Sequence, residues 1–167
     1  MSTSLDLISL AKSLVSDVVE ASRLDSRVRG RLGRLGWRRA IVIAMGKGSL
    51  QMVDGVLGEI EVDGGVIVTP RGTRRGVEGF EVVEASHPLP DESSLVAGER
   101  VLEWARTARG GRLLVLVSGG ASALVEKPLD PLTIDDVREA TRLLLGCGAS
   151  IHEINAVRKH ISLVKGG

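Results

Sequence analysis

The stretch AIVIAMGKG, residues 40–48, decides the fold class of this chain. Its first part, AIVIAM, is continuously apolar and rich in β-branched residues, a pattern typical of a strand that is covered on both faces. The strand ends at Gly46-Lys47-Gly48, after which apolar residues recur at helical spacing as far as Ile60. A strand, a glycine loop and a helix in this order predict one unit of a parallel, helix-covered sheet.

Similar units occupy most of the remaining sequence. Three further strands are predicted, at residues 65–70 (GVIVTP), 80–86 (FEVVEAS) and 112–118 (RLLVLVS). Because strands alternate with helical patterns, we predict an α/β fold with a mostly parallel, helix-covered sheet of the Rossmann-like kind.

The helices are predicted from apolar periodicity and from capping residues. An amphipathic helix lies between Leu5 and Val19 and runs into an Arg-rich stretch, residues 27–39, which is interpreted as a solvated face. A later helix is predicted to begin near Asp91 or Ser93. Another is predicted to run from Thr133 to about Leu145, and a third to begin at Ser150.

Composition limits the classes of function. The 167 residues suit one ordinary domain, and a chain that is 43% apolar and 26% charged can bury a core. A net charge of +1 gives no global basis for binding nucleic acid or an anionic membrane surface. We expect a cytoplasmic protein, because no secretory signal or membrane span is apparent and because Cys147, expected to be a small buried residue, has no disulfide partner in the chain.

The first loop with suitable chemistry is Gly46-Lys47-Gly48. Its glycines allow backbone to approach an anion, and Lys47 lies where the next helix begins. The Gly46-x-Gly48 spacing is also found in dinucleotide-binding motifs, but Gln51 replaces the third glycine of that motif. A Walker A sequence is absent from the chain.

The second loop, VSGGASAL at residues 117–124, follows the most strongly predicted strand. Small and hydroxyl residues before a helix make a phosphate nest plausible, and the candidates are Ser118, Gly119, Gly120 and Ser122. A tight turn without any ligand is the alternative. A nucleophile elbow would need a glycine where Leu116 stands, so a hydrolase has little support.

The third segment, residues 150–167, offers a polar and basic helix face. Asn155, Arg158 and Lys159 lie away from its apolar stripe. A solvated face would explain these residues without any function. The chain nevertheless uses Arg for most of its positive charge and has only five lysines, three of which (Lys47, Lys159 and Lys165) fall in the candidate segments, where a compact charge suits phosphate.

Metal binding is not predicted. The three histidines, His87, His152 and His160, include no pair at the i, i+4 spacing, and no carboxylate pair completes a ligand set. Surface or packing roles are expected for all three.

Four motifs in order resemble a known family. GKGSLQM, ASHPLPDESS, VSGGASALVEKP and INAVRKHISLVKGG are similar to successive motifs of the glycerate kinases that carry a DUF4147 domain followed by a MOFRL domain. The resemblance covers roughly residues 4–167. It implies that residues 1–167 are the amino-terminal portion of a DUF4147-type domain, without the MOFRL domain.

The resemblance also implies an activity. Such enzymes transfer the γ-phosphoryl group of ATP to the 2-hydroxyl of D-glycerate, giving 2-phosphoglycerate, with a divalent cation such as Mg²⁺. By this resemblance Lys47 and Arg158 would be catalytic, and Asn155 and Lys159 would bind substrate. The nucleotide phosphates would be held by Gly46, Gly48, Ser118, Gly119, Gly120 and Ser122.

Two departures from the family pattern qualify that expectation. The sequence stops at Lys165-Gly166-Gly167, and no Asp or Glu has an obvious claim to be general base or metal ligand. We therefore expect weak or no kinase activity from the chain alone, with a separately encoded carboxyl-terminal half or a homo-oligomer as partner. The alternatives are a non-catalytic nucleotide or sugar-phosphate binding module and a hydroxypyruvate or glycerate oxidoreductase.

Overall fold

The computed structural model describes residues 3–73 and 75–166, with side chains from Asp6 onward. Strands and helices alternate over most of this length. The elements are α1 (Thr3–Ala21), α2 (Leu24–Leu35), β1 (Arg39–Met45), α3 (Ser49–Asp54), β2 (Glu61–Pro70), β3 (Glu81–Ala85), α4 (Glu92–Thr107), β4 (Leu113–Val117), α5 (Ala121–Leu124), α6 (Ile134–Gly146) and α7 (Ile151–His160).

The four strands form one sheet in the order β3-β2-β1-β4. Every pair in it is parallel, which confirms the predicted α/β fold. Strand β1 lies in the middle of the sheet, and its residues Val42, Ile43 and Ala44 are buried. The continuous apolar run is thus explained, because a strand between helices on both faces has no side that water reaches.

Helices cover the two faces of the sheet. On one face Ile43, Val66 and Val68 pack with α4 and with the end of α5. On the other face α2 and α3 cover Val42, Ala44 and Ile67. The sheet therefore holds the carboxyl ends of its strands, and the loops that follow them, in fixed relative positions.

Three local predictions were wrong. The helix after β1 ends at Asp54 rather than near Ile60, because the chain must turn to enter β2, and Leu57 and Ile60 pair as an isolated bridge there. The Arg-rich stretch contains a second helix, α2, whose Leu32 packs into the core. Cys147 is exposed, because it lies at the carboxyl end of α6 rather than on a buried face.

The first helix, α1, exposes its large aliphatic residues, among them Leu7, Leu14 and Val18. Its apolar stripe follows helical spacing as predicted, but the stripe does not join the core of the described chain. None of the helices in residues 3–73 and 75–166 has the length and hydropathy needed to cross a membrane.

Helix α4 begins with a capping box centred on Asp91. The Asp91 carboxylate accepts a hydrogen bond from the N–H of Ser93 at 2.9 Å, and the Ser94 hydroxyl accepts one from the N–H of Asp91 at 3.2 Å. Arg71 lies 2.7 Å from the same carboxylate. The hydrogen bond from the Ser93 hydroxyl, with help from Arg71, holds the pKa of Asp91 below its usual value.

Replacing Asp91 with alanine is expected to lower the free energy of unfolding by about 1 kcal/mol. The pKa of Asp91 is lower in the folded chain than the ordinary value of 3.8. The stabilisation by the Asp91 carboxylate is therefore complete at pH values above 3.8, and it is lost as the pH falls through the pKa of the folded chain. Thermal unfolding of the wild type and of the alanine variant, at neutral and at acidic pH, measures this loss of stability. Asp91→Asn keeps a capping oxygen and should lose less; an alanine variant as stable as the wild type at neutral pH would contradict the assignment.

Candidate phosphate-binding site

Two of the predicted loops interlock where β1 and β4 end. The N–H of Ser118 donates to the Met45 carbonyl at 2.9 Å, and the N–H of Lys47 donates to the Gly119 carbonyl at 2.9 Å. The Ser118 hydroxyl accepts a hydrogen bond from the N–H of Gly48 at 2.9 Å. Because neighbouring parallel strands end at the same edge of a sheet, residues that are far apart in sequence meet here.

These bonds change the expected role of the first loop. The N–H groups of Lys47 and Gly48 already have acceptors, and that of Gly46 donates to Val68 at 3.1 Å. The Lys47 side chain is exposed, and its ammonium has no hydrogen-bond or ion-pair partner within the described residues. The first loop therefore offers an anion the lysine charge rather than its amides.

The second loop keeps its donors free. In the part of the chain that the structure describes, the N–H groups of Gly119, Gly120 and Ser122 have no intramolecular acceptor. The Ser118 hydroxyl is engaged with Gly48 and also donates to the Met45 carbonyl at 3.3 Å. Ser118 thus fastens the two loops together, while the residues after it present amides.

Gly46 is required by this close contact. Its φ is 118°, and a Cβ built there would lie 2.6 Å from the carbonyl oxygen of Ser118. Both the backbone conformation and the space exclude a side chain.

Replacing Gly46 with alanine is therefore expected to cost about 1–3 kcal/mol of folding free energy and to separate the two loops. Chemical denaturation measures the loss. Gly30 in α2 is the matched control, because nothing lies within 4 Å of a Cβ built there, so Gly30→Ala should be neutral or stabilising. If Gly46→Ala and Gly30→Ala were equally stable, the close contact with Ser118 would not require glycine at position 46.

His87, which follows β3, also reaches this place. Gly120 has a φ of 91°, and a Cβ built on it would lie 3.0 Å from Cδ2 of His87 and 3.3 Å from Cγ of Lys47. Sequence analysis gave His87 only a surface or packing role. The available signal was its position just after a predicted strand, where functional loops of a parallel sheet lie.

The third segment reaches the same loop through Arg158. Its Nη2 donates to the Ser122 carbonyl at 2.8 Å, and its Nε is buried without a hydrogen-bond partner. Asn155, Arg158 and Lys159 line a cavity of about 400 Å³ whose remaining walls are mostly apolar. Lys47 does not line this cavity, but its stem lies beside Gly120 of the same loop.

A buried charged cluster was missed by sequence analysis. Glu126 is 0% exposed and accepts hydrogen bonds from the Ser162 hydroxyl at 2.5 Å and from the N–H of Lys127 at 3.0 Å. Lys165 forms an ion pair with Glu126 and donates to the Val125 carbonyl at 2.9 Å. Burial lowers the pKa of Lys165, although Glu126 opposes that shift.

The cluster ties residues 162–165 to the end of α5 and places Lys165 in the wall of the same cavity as Arg158. The signal in the sequence was a single Glu that ends the apolar run ALVEKP. The described residues contain no group of three or more His, Cys, Asp or Glu side chains arranged to hold a metal ion.

Comparisons with known proteins place this geometry in a family. The family described as "Domain of unknown function (DUF4147)" matches residues 7–167. The D-glycerate 2-kinase of Thermotoga maritima is 40% identical over 163 residues, which are 95% of this chain and 39% of that protein. A putative hydroxypyruvate reductase of Agrobacterium vitis is 36% identical over 154 residues, 90% of this chain and 33% of that protein.

A solved structure gives the same result. The crystal structure of glycerate kinase from Thermotoga maritima superposes with a TM-score of 0.87 at 39% identity, over 97% of this chain and 40% of that one. This chain therefore spans about two fifths of the Thermotoga protein. With the family match covering nearly all of its residues, the chain belongs to the DUF4147 family.

Proposed function

We propose that this chain is the phosphate-binding portion of a glycerate 2-kinase and corresponds to the amino-terminal part of a DUF4147-type domain. The reaction transfers the γ-phosphoryl group of ATP to the 2-hydroxyl of D-glycerate. The P–O bond to the glycerate oxygen forms, the bond to the leaving ADP oxygen breaks, and the hydroxyl proton is released. The observation that carries the proposal is the junction of residues 46–48 with residues 118–122 at one edge of a parallel sheet.

The second loop is assigned to the nucleotide phosphates. Its free N–H groups, at Gly119, Gly120 and Ser122, are the donors that a phosphate requires. Ser118 has a positioning role in this proposal, since its hydroxyl joins the two loops. Gly46 and Gly48 contribute by allowing the junction to form.

Lys47 is assigned to the transferred phosphoryl group. Its exposed ammonium has no partner in the described chain, and its aliphatic stem passes beside Gly120. Phosphoryl transfer needs positioning and neutralisation of charge more than covalent chemistry, and one well-placed cation suits that need.

The cavity next to the second loop is assigned to glycerate. Arg158 donates to the Ser122 carbonyl with Nη2, and the other terminal nitrogen of its half-buried guanidinium can still bind a carboxylate. Asn155 and Lys159 line the same cavity and offer an amide and a second positive charge. The relative named D-glycerate 2-kinase supports this choice of acceptor.

Magnesium is part of the proposed reaction, and the described residues contain no group of three or more His, Cys, Asp or Glu side chains that could hold it. Glu126, the buried carboxylate nearest these segments in the chain, is already bonded to Ser162, Lys127 and Lys165. The ion would be carried by the ATP phosphates, with one or two carboxylates completing its ligands. In this proposal those groups and the general base come from a polypeptide similar to the part of the Thermotoga protein outside the matched region.

A coupled assay tests the proposed function. The chain is incubated with ATP, Mg²⁺ and D-glycerate, alone and together with the part of the Thermotoga D-glycerate 2-kinase that lies outside the matched region. We expect 2-phosphoglycerate in the mixture and little or none from the chain alone. A mixture that forms a complex but makes no product, while the intact Thermotoga enzyme is active in parallel, would contradict the proposal.

A second candidate, an oxidoreductase acting on hydroxypyruvate, is favoured by the name of the Agrobacterium relative. Against it, Gln51 replaces the third glycine of the dinucleotide motif, and the amides of Lys47 and Gly48 are not free to bind a pyrophosphate. Consumption of NADH with hydroxypyruvate by the same mixture, without formation of 2-phosphoglycerate, would favour this candidate over the kinase.

A further inference from the structure

A histidine that follows one outer strand of the sheet reaches the loop that follows the other outer strand. Strand β3 ends at Ala85 and β4 at Val117, and the order β3-β2-β1-β4 places these strands on opposite sides of the sheet. A Cβ built on Gly120 would nevertheless lie 3.0 Å from Cδ2 and 3.1 Å from Nε2 of His87. The edge of the imidazole that carries Nε2 therefore lies close to the backbone of the second loop.

The chain around His87 is held on both sides of the residue. The N–H of Ser86 donates to the Ser93 hydroxyl in the first turn of α4 at 3.1 Å. Beyond His87, the carbonyl of the buried Pro90 accepts a hydrogen bond from Nε of Arg138 in α6 at 2.7 Å. Two helices thus hold the segment that carries the imidazole, which favours one fixed position for the ring.

The imidazole keeps its hydrogen-bonding capacity. Among residues 3–73 and 75–166, neither ring nitrogen of His87 has a hydrogen-bond or ion-pair partner, and the residue is half-buried. A neutral imidazole carries one N–H donor and one acceptor nitrogen, and a protonated imidazole carries two donors. Nε2 is therefore available to donate to a ligand bound beside Gly120.

The surroundings of His87 suit an anion. The stem of Lys47 lies on the same side of Gly120, with its Cγ 3.3 Å from the built Cβ. The N–H groups of Gly119 and Ser122 have no acceptor in the described chain. No carboxylate within the described ranges pairs with Lys47 or His87. Donors and a cation thus converge without an acceptor of their own, which is an arrangement that binds phosphate.

The position of His87 distinguishes the two substrates of the proposed reaction. The cavity assigned to glycerate is lined by Asn155, Arg158 and Lys159, and His87 does not line it. The imidazole lies instead beside the stem of Lys47 at Gly120. The nucleotide phosphates are therefore the ligand that fits this position.

We propose that His87 is a ligand of the nucleotide phosphates and donates a hydrogen bond from Nε2 to a phosphate oxygen held by residues 119–122. This assignment depends on the proposed function, because it adds a residue to the same site. His87 joins Lys47 as a second side chain at the phosphates. Strand β3 thereby becomes the third strand, after β1 and β4, to supply the site from its carboxyl end.

The affinity of the chain for ATP tests the assignment through substitutions of His87. His87→Ala is expected to weaken binding about 10–100-fold, the loss of one hydrogen bond to a charged group. His87→Gln carries an amide N–H near the place of Nε2 and should restore most of the affinity. His87→Asn, whose shorter amide reaches only the place of Nδ1, should bind as weakly as His87→Ala.

His152→Ala is the matched control, because His152 is exposed on α7 and does not line the glycerate cavity. Its affinity for ATP should equal that of the wild type. An alanine variant of His87 that binds ATP as tightly as this control would overturn the assignment. Equal affinities of the Gln and Asn variants would also overturn it, because the bond would then not come from Nε2.

Inorganic tripolyphosphate distinguishes a phosphate contact from a contact with the adenine ring. We expect His87→Ala to weaken the binding of ATP and of tripolyphosphate by the same factor. If the binding of ATP weakened while that of tripolyphosphate stayed the same, His87 would contact the base and the assignment would be wrong.

The ring resonances of His87 provide a measurement on the wild type. ATP is titrated into the chain with isotopically labelled histidine, and the His87 signals should shift with the same saturation as the amides of Gly119 and Gly120. Amide shifts without a His87 shift would overturn the assignment and leave the proposed function standing. Spectra in which neither the amides nor the ring respond to ATP would contradict both.

Discussion

Replacing Lys47 with alanine is expected to lower kcat of the active assembly by about 10²–10³-fold, the loss typical when one preorganised hydrogen-bond donor to a transition state is removed. In the proposed site the ammonium neutralises charge on the phosphoryl group during transfer. The fold should not change, because the side chain is exposed and because the backbone N–H, which the substitution keeps, makes the bond to Gly119. Steady-state kinetics at saturating ATP and D-glycerate measures the effect.

Two variants make that experiment specific. Lys12→Ala removes an exposed lysine on α1 and should leave kcat unchanged. Lys47→Arg keeps the charge but changes its shape, and is expected to restore only part of the rate. If Lys47→Ala were as active as the Lys12 control, Lys47 would have no part in the reaction.

Replacing Glu126 with alanine is expected to reduce the free energy of unfolding by about 3–5 kcal/mol, because removing one partner leaves a buried charge uncompensated. Lys165, whose side chain is 11% exposed, would lose its counter-ion. The Ser162 hydroxyl and the N–H of Lys127 would lose their acceptor as well. Urea unfolding of the isolated chain measures the loss.

A paired substitution separates the ion pair from simple packing. Glu126→Gln with Lys165→Met removes both charges while keeping most of the volume, and replacing a whole buried pair costs much less than breaking it. We therefore expect the double variant to be more stable than Glu126→Ala. A Glu126→Ala protein within about 0.5 kcal/mol of the wild type would show that the cluster contributes little.

Much of the fold could be predicted because its signals are local. The run AIVIAM is apolar throughout, and β1 is accordingly the buried central strand. The helix starts at Thr133 and Ser150 were predicted from local capping residues, and a capping box is present at each. The end of α3 was missed because the turn into β2 is imposed by strand pairing across the sheet, which no short stretch of sequence encodes.

The candidate site was predictable only in part, because several of its contacts join residues that are far apart in the sequence. Residues 46–48 and 118–122 could be selected as candidates because each follows a predicted strand of a parallel sheet. Which amides remain free depends on the Ser118 hydroxyl reaching Gly48 across 70 residues of sequence. The burial of Glu126 likewise depends on Ser162, 36 residues later, and a lone Glu at the end of an apolar run does not reveal it.

The most direct test of the phosphate-binding junction is a titration of the isotopically labelled chain with ATP, followed by the amide resonances in nitrogen-15 NMR spectra. The proposed site predicts saturable shifts at Gly119, Gly120 and Ser122, and their loss in the Lys47→Ala variant. Shifts that saturate at residues remote from this loop, or spectra that ATP leaves unchanged, would contradict it.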